Sequence, residues 1–505
     1  MAWSTKFNAH RGFSTLLGAA LILLAGCSLF SEERSLTPDN CFANSLSGAQ
    51  DSIAGVPLIH WHPDRNIPNT ACGYDDGHLT NRLNLTKLYG EREFTRNARL
   101  VDLTGDGRRE LLTRTMNENR VRALNPETGE TLWTSPSVLP AAQHPQASDL
   151  AVGDVTGDGN LEILIVSYDG HVLCINGRDG TLRWQRQLSY HINNPNLQDA
   201  LGNITADGGL ELALTVGNDV EWGTRSRPRI NSIRAPSLLV LQSNGETAWI
   251  AEQYDTNNSR GHNTWTHDVD RDGLAEVFVI GADQLIAFGT GGTRQFSLPM
   301  QHGGHPDKVL FGDWTPGRPG DEIIYTDGVH GIGVASSQGK ILQHRKITDT
   351  LSGHLQDLFL VPSPKKTRLL AHHIRKGDAK TVLYDADLEP QWVAQLGYDA
   401  TMLHPALVDW DGDQTPEIAT GSLSETGDRQ CSVQIMELDG TPLYWHRWGG
   451  SPLCVITDAT ADKLVLGIGW NEGNEGRYSL PTGQKMNLVI LDAQSPLSAL
   501  PRQSY

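Results

Sequence analysis

One acidic motif recurs along the chain, and it constrains the fold more than any other feature. Its frame is Asp-x-Asp/Thr-x-Asp-Gly-x-x-Glu, seen most clearly in residues 102–110 and 268–276. Self-similarity at a fixed period is the signature of a repeat architecture. The copies, two of them irregular, begin at Asp102, Asp154, Asn203, Asp268, Asp313, Asp409 and Asp458. The one double-length interval holds residues 357–361, which keep an apolar run but lack the acidic loop, so the sequence predicts eight units.

Each unit is about fifty residues long and carries short apolar runs separated by Gly-containing turns. Most units end in an aromatic residue: Trp133, Trp184, Trp249, Phe296, Trp392 and Trp445. Four short strands per unit of this length are typical of a β-propeller blade. We therefore predict an all-β fold, a β-propeller of four-stranded blades, with eight blades and seven as the alternative. The last unit ends near residues 488–491 without an aromatic fourth strand, so we expect residues 84–94 to supply that strand and close the ring.

The N-terminus has the layout of a secretory signal peptide. Lys6 and Arg11 precede an apolar run over residues 16–25, which is too short to span a bilayer. Residues 24–27, Leu-Ala-Gly-Cys, resemble the bacterial lipobox, and this resemblance implies lipidation of Cys27 and cleavage before it. Ser28, standing where Asp would favour inner-membrane retention, implies an outer-membrane lipoprotein. The alternative is an ordinary signal peptide with a chance cysteine.

The predicted domains are a signal peptide at residues 1–26, a tether at residues 27–55 and a single propeller domain at residues 56–505. An exported compartment permits disulfides. Cys431 could pair with Cys454, and Cys41 with Cys72. Cys174 lies in an apolar run, and we expect it to be a buried free thiol.

The repeats resemble those of FG-GAP and VCBS-type propellers over about residues 84–495. Blade ends such as residues 125–133 are also similar to quinoprotein-like repeats. The resemblance implies the propeller fold but no single function, because such propellers serve many unrelated roles.

The acidic loops predict calcium sites, because alternate oxygen ligands, a glycine for the bend and a distal Glu can wrap a calcium ion. The alternative is that the carboxylates accept backbone N–H groups in tight turns. Both interpretations give the loops a scaffolding role. The candidate ligands are Asp268, Asp270, Asp272, Glu276, Asp409, Asp411, Asp413, Glu417, Asp102, Asp106, Glu110, Asp154, Asp158 and Glu162.

Histidines and other polar residues precede the first strand of several units, and aromatic residues lie nearby. Segments that enter the innermost strands surround the axis of a propeller, so we expect them to line one mouth of the channel. The alternative is that these histidines bond to neighbouring blades. The candidate ligand-binding residues are His144, Trp222, Trp265, His354, Tyr398 and His404.

A catalytic interpretation is also open. Residues 261–263 and 302–305 are similar to segments of rhamnogalacturonan-lyase propellers, which implies β-elimination on a uronate-containing glycan. The catalytic candidates for such a polysaccharide lyase are His262, His305, Tyr254 and Arg260.

The chain has a formal charge of −18, which argues against a nucleic-acid binder. Our leading hypothesis is a monomeric, lipid-anchored, calcium-stabilised propeller that binds a polysaccharide or a protein partner at the bacterial envelope, at the outer membrane. The alternatives are the lyase and a structural component of an envelope assembly.

Overall fold

The computed structural model describes residues 52–53, 56–60 and 93–492, the last range with gaps. The gaps are residues 116–119, 127, 137–146, 168, 193–196, 219, 223–229, 256–259, 262, 303–305, 329, 348–353, 362–366, 375–379, 396–405, 411–412, 414, 422–430, 441, 449–453, 460–462 and 469–486. All the strands belong to one compact unit that runs from Leu36 to Tyr505. None of the helices in the described part of the chain has the length and apolar character needed to cross a membrane.

The chain begins its described course with two short strands, β1 (Ser52–Ile53) and β2 (Val56–His60). Three antiparallel blades follow. Blade one contains β3 (Glu93–Val101), β4 (Glu110–Thr115), β5 (Arg120–Leu124) and β6 (Thr131–Thr134). Blade two contains β7 (Ala147–Gly153), β8 (Glu162–Ser167), β9 (His171–Asn176) and β10 (Leu182–Gln187).

Blade three has an interrupted first strand and an insertion. Two pieces, β11 (His191–Ile192) and β12 (Leu201–Gly202), flank a 3-10 turn (Gln198–Ala200), and both pair with β13 (Glu211–Gly217). The insertion begins with β14 (Val220–Trp222) and β15 (Ile230–Arg234), after which β16 (Ser237–Leu241) and β17 (Thr247–Ala251) complete the blade. A third insertion strand, β18 (Arg260–Gly261), then pairs with β15.

Four further blades follow the same pattern. Blade four contains β19 (Thr264–His267), β20 (Glu276–Ile280), β21 (Gln284–Phe288), a 3-10 turn (Thr290–Gly292) and β22 (Arg294–Pro299). Blade five contains β23 (Val309–Gly312), β24 (Glu322–Thr326), β25 (Gly331–Ala335) and β26 (Ile341–Lys346). Blade six contains β27 (His354–Val361), β28 (Arg368–Ile374), β29 (Lys380–Tyr384) and β30 (Pro390–Gln395). Blade seven contains β31 (Ala406–Val408), β32 (Glu417–Gly421), β33 (Cys431–Met436) and β34 (Pro442–Trp448).

The hydrophobic core lies between the blades, because successive side chains of a strand face opposite sides of its sheet. In β8, Ile163 packs with Ala123 of blade one, whereas Leu164 packs with Leu214 of blade three. The same alternation continues to blade seven, where Ile418 packs with Leu370 of blade six. Each of blades two to six is therefore held by two apolar interfaces, as expected for a propeller ring.

The predicted all-β propeller of four-stranded blades is confirmed. The blade number that matches is seven, the alternative given in the sequence analysis. The eight-blade expectation is wrong. Its last unit forms a three-stranded sheet of β35 (Cys454–Ala459), β36 (Lys463–Ile468) and β37 (Asn487–Asp492). Strand β35 lies beside β3 of blade one and β31 of blade seven.

The N-terminal segment expected to complete that sheet is described only in part. Glu93 and Phe94 lie in β3 and pair with Thr115 and Arg114 of β4, whereas residues 84–92 lie outside the described residues. The upstream strand β2 instead pairs in parallel with β30, at the outer edge of blade six. A paired edge is protected from joining a strand of another molecule.

Candidate functional site

The two ends of the blades carry different features. The acidic loops connect the first and second strands of every blade except blade six. The insertion leaves blade three between its second and third strands and returns after its fourth. Because the strands are antiparallel, these connections lie at the opposite end of the blades from the acidic loops.

The Glu of each described acidic loop anchors the loop to its blade. Glu110 accepts the backbone N–H of Leu103 at 2.8 Å, and Glu276 accepts that of Val269 at 3.1 Å. Equivalent bonds run from Thr156 to Glu162, from Ile204 to Glu211, from Trp314 to Glu322 and from Trp410 to Glu417. These carboxylates are buried. Burial raises the pKa of Glu110, Glu162 and Glu276 despite the hydrogen bonds that they accept.

The loop at residues 268–276 offers the best arrangement for a cation. Oxygen atoms of Asp268, Asp270 and Glu276 lie within 4.8 Å of one another. Asp268 also accepts the backbone N–H groups of Asp272 and Gly273 at 3.0 and 2.8 Å, and Asp272 accepts that of Leu274 at 2.8 Å. Three carboxylates around one point fit the all-oxygen preference of calcium.

The two loops with Thr at the middle position are arranged differently. Asp102 accepts three backbone N–H groups of its own loop, from Gly105, Asp106 and Gly107. In blade two, the Arg183 guanidinium lies 2.9 Å from both Asp158 and Glu162. A guanidinium in this position supplies the positive charge that a cation would bring.

The fourth predicted loop is described only in part. Glu417 is buried at the start of β32, and Asp413 accepts the backbone N–H of Thr415 at 2.7 Å. Asp409 lies just after β31, and Asp411 lies outside the described residues.

The acidic loops also connect the blades. The carbonyl of Val155 accepts the Leu210 N–H, that of Asn203 accepts the Ala275 N–H, and that of Val269 accepts the Asp321 N–H. Asp321 further pairs with His267 at 2.7 Å and with Arg271, both in blade four. Burial alone would raise the pKa of Asp321. The hydrogen bonds from His267 and Arg271 outweigh this effect, so the pKa is lowered overall. The loops therefore hold neighbouring blades together, in agreement with the scaffolding role expected from the sequence.

The insertion of blade three brings two of the candidate residues into one small sheet. Strand β15 pairs with β14, where Trp222 faces Ile230, and with β18, where Arg260 faces Arg234. For these strands the structure describes the backbone. Trp222 and Arg260, 38 positions apart in the chain, thus belong to one three-stranded sheet.

The structure describes the side-chain contacts of two other candidates, Trp265 and Tyr254. Trp265 is only 2% exposed and packs in the core between blades four and five with Phe278. Its side chain is therefore enclosed between blades and not exposed at the channel mouth, which contradicts its expected place among the ligand-binding residues. The Tyr254 hydroxyl donates to the carbonyl of Ile280 at 3.1 Å, and its ring meets Phe288 edge to face. Burial raises the pKa of Tyr254.

The side chains of the remaining candidates lie outside the described part of the structure. His354 begins β27, and only its backbone is described. The candidates outside the described residues are Cys27, His144, His262, His305, Tyr398 and His404.

A cluster that the sequence did not predict lies where blade four connects to blade five. His302 follows β22, Asp327 follows β24, and His344 lies in β26. Each offers a ligand atom, and these atoms lie within 4.8 Å of one another. The three residues are far apart in the sequence and have no metal-binding spacing. Only the pairing of β24, β25 and β26 brings Asp327 and His344 together.

Comparisons with known proteins support the fold. Residues 117–303, less than half of the chain, match the family model described as outer membrane protein assembly factor BamB (PQQ_2). This model agrees with the quinoprotein-like similarity of the blade ends, and it does not support FG-GAP or VCBS repeats in particular. No match was found among curated proteins.

Several solved structures are similar at low sequence identity. Sqt1 from Saccharomyces cerevisiae is 12% identical with a TM-score of 0.51, covering 79% of this chain and 98% of that chain. A europium-containing methanol dehydrogenase is 11% identical with a TM-score of 0.50, covering 81% and 94%. BamB from Moraxella catarrhalis is 14% identical with a TM-score of 0.48, covering 79% and 95%. At such identities the similarity of the first two structures establishes the fold alone: the chain is a β-propeller.

Proposed function

We propose that this protein is an exported, lipid-anchored β-propeller, stabilised by calcium, that binds a protein partner in the bacterial envelope. The observation that carries the proposal is the small sheet of β14, β15 and β18. It departs from the blade repeat, and it lies within residues 117–303, which match the model of an outer-membrane assembly factor. Insertions held by a rigid scaffold are frequent sites of binding residues.

The rest of the described surface supports binding more than catalysis. The acidic loops form hydrogen bonds within and between blades, and the aromatic blade ends pack against neighbouring blades. Tyr254, a candidate for the lyase reaction, uses its hydroxyl on a backbone carbonyl, and burial of that hydroxyl disfavours the phenolate that could remove a proton. We therefore favour the binding function over lyase activity.

Calcium has a structural role in this proposal. The carboxylates of Asp268, Asp270 and Glu276 would hold the ion, and Arg271 of the same loop bonds Asp321 of blade five. An ion in this loop would stabilise the contact between blades four and five by binding only the folded state. The lipid anchor rests on the lipobox-like residues 24–27, and Cys27→Ser should abolish incorporation of labelled palmitate.

Deletion of the insertion hairpin tests the binding function. Val216 and Ser237 are cross-strand partners, so replacing residues 218–235 by Asn-Gly leaves the ends of β13 and β16 in register. A photo-crosslinking amino acid at Trp222 should capture a specific envelope protein in cells. The same amino acid at Leu132, which is exposed on the outer strand of blade one, serves as the matched control.

We expect the hairpin-deleted protein to remain folded and exported but to fail to complement a deletion strain. Full complementation, together with equal crosslinking from both positions, would contradict the proposal. The purified full-length protein is also passed over uronate and neutral polysaccharides. Retention on a glycan would replace the protein partner by a polysaccharide, and new ultraviolet absorbance from unsaturated uronates would replace binding by lyase activity.

A further inference from the structure

The cluster of His302, Asp327 and His344 has the chemistry of a transition-metal site. Two imidazoles and one carboxylate form a donor set that suits zinc and related divalent ions, whereas calcium and magnesium prefer oxygen alone. Tetrahedral zinc with bonds of about 2.0–2.1 Å separates its ligand atoms by roughly 3.3 Å. The ligand atoms of this cluster lie within 4.8 Å of one another, so small side-chain rotations bring all three to one ion.

The polar atoms of the cluster are only partly satisfied by the described residues. Asp327 is fully buried, and the ion pair that it makes among the described residues is with His344. The Nε2 atom of His302 is buried and has no hydrogen-bond partner among the described residues, although the His302 and His344 ring centroids are only 4.8 Å apart. A buried nitrogen without a partner is unfavourable, and coordination to a cation would satisfy it.

The surrounding backbone holds the ligands in place. The second oxygen of Asp327 accepts the backbone N–H of Gln301 at 2.7 Å, which leaves the oxygen beside His344 for the metal. Hydrogen bonds of this kind orient a ligand and are part of natural metal sites. Gly331 leaves room for the His302 ring, since a Cβ there would lie 2.8 Å from its Cδ2 atom.

A buried tyrosine completes the surroundings. Tyr325 and His344 both pair with Gly333, so the three residues are aligned across β24, β25 and β26. The Tyr325 ring occupies the space above Gly333, where a Cβ would lie 2.2 Å from Cζ. Its hydroxyl has no hydrogen-bond partner among the described residues.

We propose that His302, Asp327 and His344 bind one zinc-class divalent cation between blades four and five. Three protein ligands leave one tetrahedral position for water or for a donor from another molecule. The site is separate from the acidic loops, because it lies at the opposite end of the blades. It is also independent of the binding function proposed above.

The test is a zinc titration of the purified full-length protein, first treated with a chelator and then kept in excess calcium to saturate the acidic loops. Competition against a chromophoric chelator should give one zinc per chain. His302→Gln and His344→Gln should each weaken binding about tenfold or more. The control is His267→Gln, which removes a histidine paired with Asp321 beside an arginine. Zinc binding should be unchanged in this control.

Absence of zinc binding by the wild-type protein, or binding by both ligand variants as tight as that of the wild-type protein, would overturn the proposal. Zinc X-ray absorption on the wild-type protein provides a test that does not depend on the folding of a variant. Scattering from two imidazoles is expected. A spectrum with oxygen ligands alone would assign the ion to the acidic loops instead.

Discussion

The indole of Trp184, in the outermost strand of blade two, lies against Gly245 in a turn of blade three. Its Nε1 donates to the carbonyl of Ser243 at 2.8 Å, and a Cβ on Gly245 would lie 2.8 Å from two carbons of the indole. Comparable contacts join Trp133 to Gly180, Trp249 to Gly292 and Phe296 to Gly339. The aromatic residue that ends each of these blades therefore packs on a glycine of the next blade.

Gly245→Ala should destabilise the protein for two reasons. Gly245 has a φ of +80°, which strains any other residue, and the added methyl group would collide with the Trp184 ring. Gly105→Ala is the matched control, because Gly105 has a φ of +75° but open space around its Cβ position. We expect Gly245→Ala to cost about 1–3 kcal/mol more than the control, measured by urea unfolding. Equal losses in the two variants would mean that the aromatic contact does not hold the blades.

Glu211 should make the protein less stable as the pH rises. Burial raises its pKa to about 7, with a further contribution from the hydrogen bond to Asp207, and the backbone N–H groups of Ile204 and Thr205 only partly oppose this shift. Because the folded pKa exceeds the unfolded value, the stabilisation is complete below about pH 4.5 and is lost as the pH rises through 7. The loss is on the order of 3 kcal/mol, from a folded pKa of about 7 and an unfolded value of 4.5.

Glu211→Gln tests this pH dependence. The amide oxygen can still accept the backbone N–H groups, but the side chain no longer ionises. The melting temperature of the variant should decline less between pH 5 and pH 8 than that of the wild-type protein. Parallel profiles for the two proteins would show that Glu211 does not titrate in this range.

The sequence predicts the repeat, the strands and the aromatic residues that end the blades, because these depend on local periodicity. It does not predict that Trp265 lies in the core, since an aromatic residue beside the axis and one between blades occur in the same strand pattern. The His302, Asp327 and His344 cluster depends on the register of three strands and on a connection between blades. Such contacts have no signature in local spacing. The expected count of eight blades is one too high because the last sequence repeat forms a sheet of only three strands.

Cys174 should be unreactive in the folded protein. Its side chain is fully buried in β9, and burial raises the pKa of the thiol to about 12, with a smaller contribution from Glu162. At pH 8 the thiolate is therefore scarce and inaccessible. Mass mapping after treatment with iodoacetamide should find Cys174 modified only when urea is present. Modification at the same rate without urea would show that blade two opens in the native state.

Calcium should stabilise the protein through the loop at residues 268–276 more than through the loop of blade two. Asp270→Asn removes one carboxylate of the cluster, whereas Asp158→Asn removes one that Arg183 already neutralises. Both substitutions change the charge by the same amount, so their general electrostatic effects are matched. At a calcium concentration of about 100 times Kd, the wild-type gain is about 2.7 kcal/mol.

Differential scanning calorimetry with and without calcium measures that gain. We expect Asp270→Asn to lose most of it and Asp158→Asn to keep it, because the guanidinium beside Asp158 and Glu162 repels a second cation. If both variants keep the full response, the ion binds elsewhere in the chain. If both lose it, the Arg183 ion pairs do not replace a cation in the folded protein.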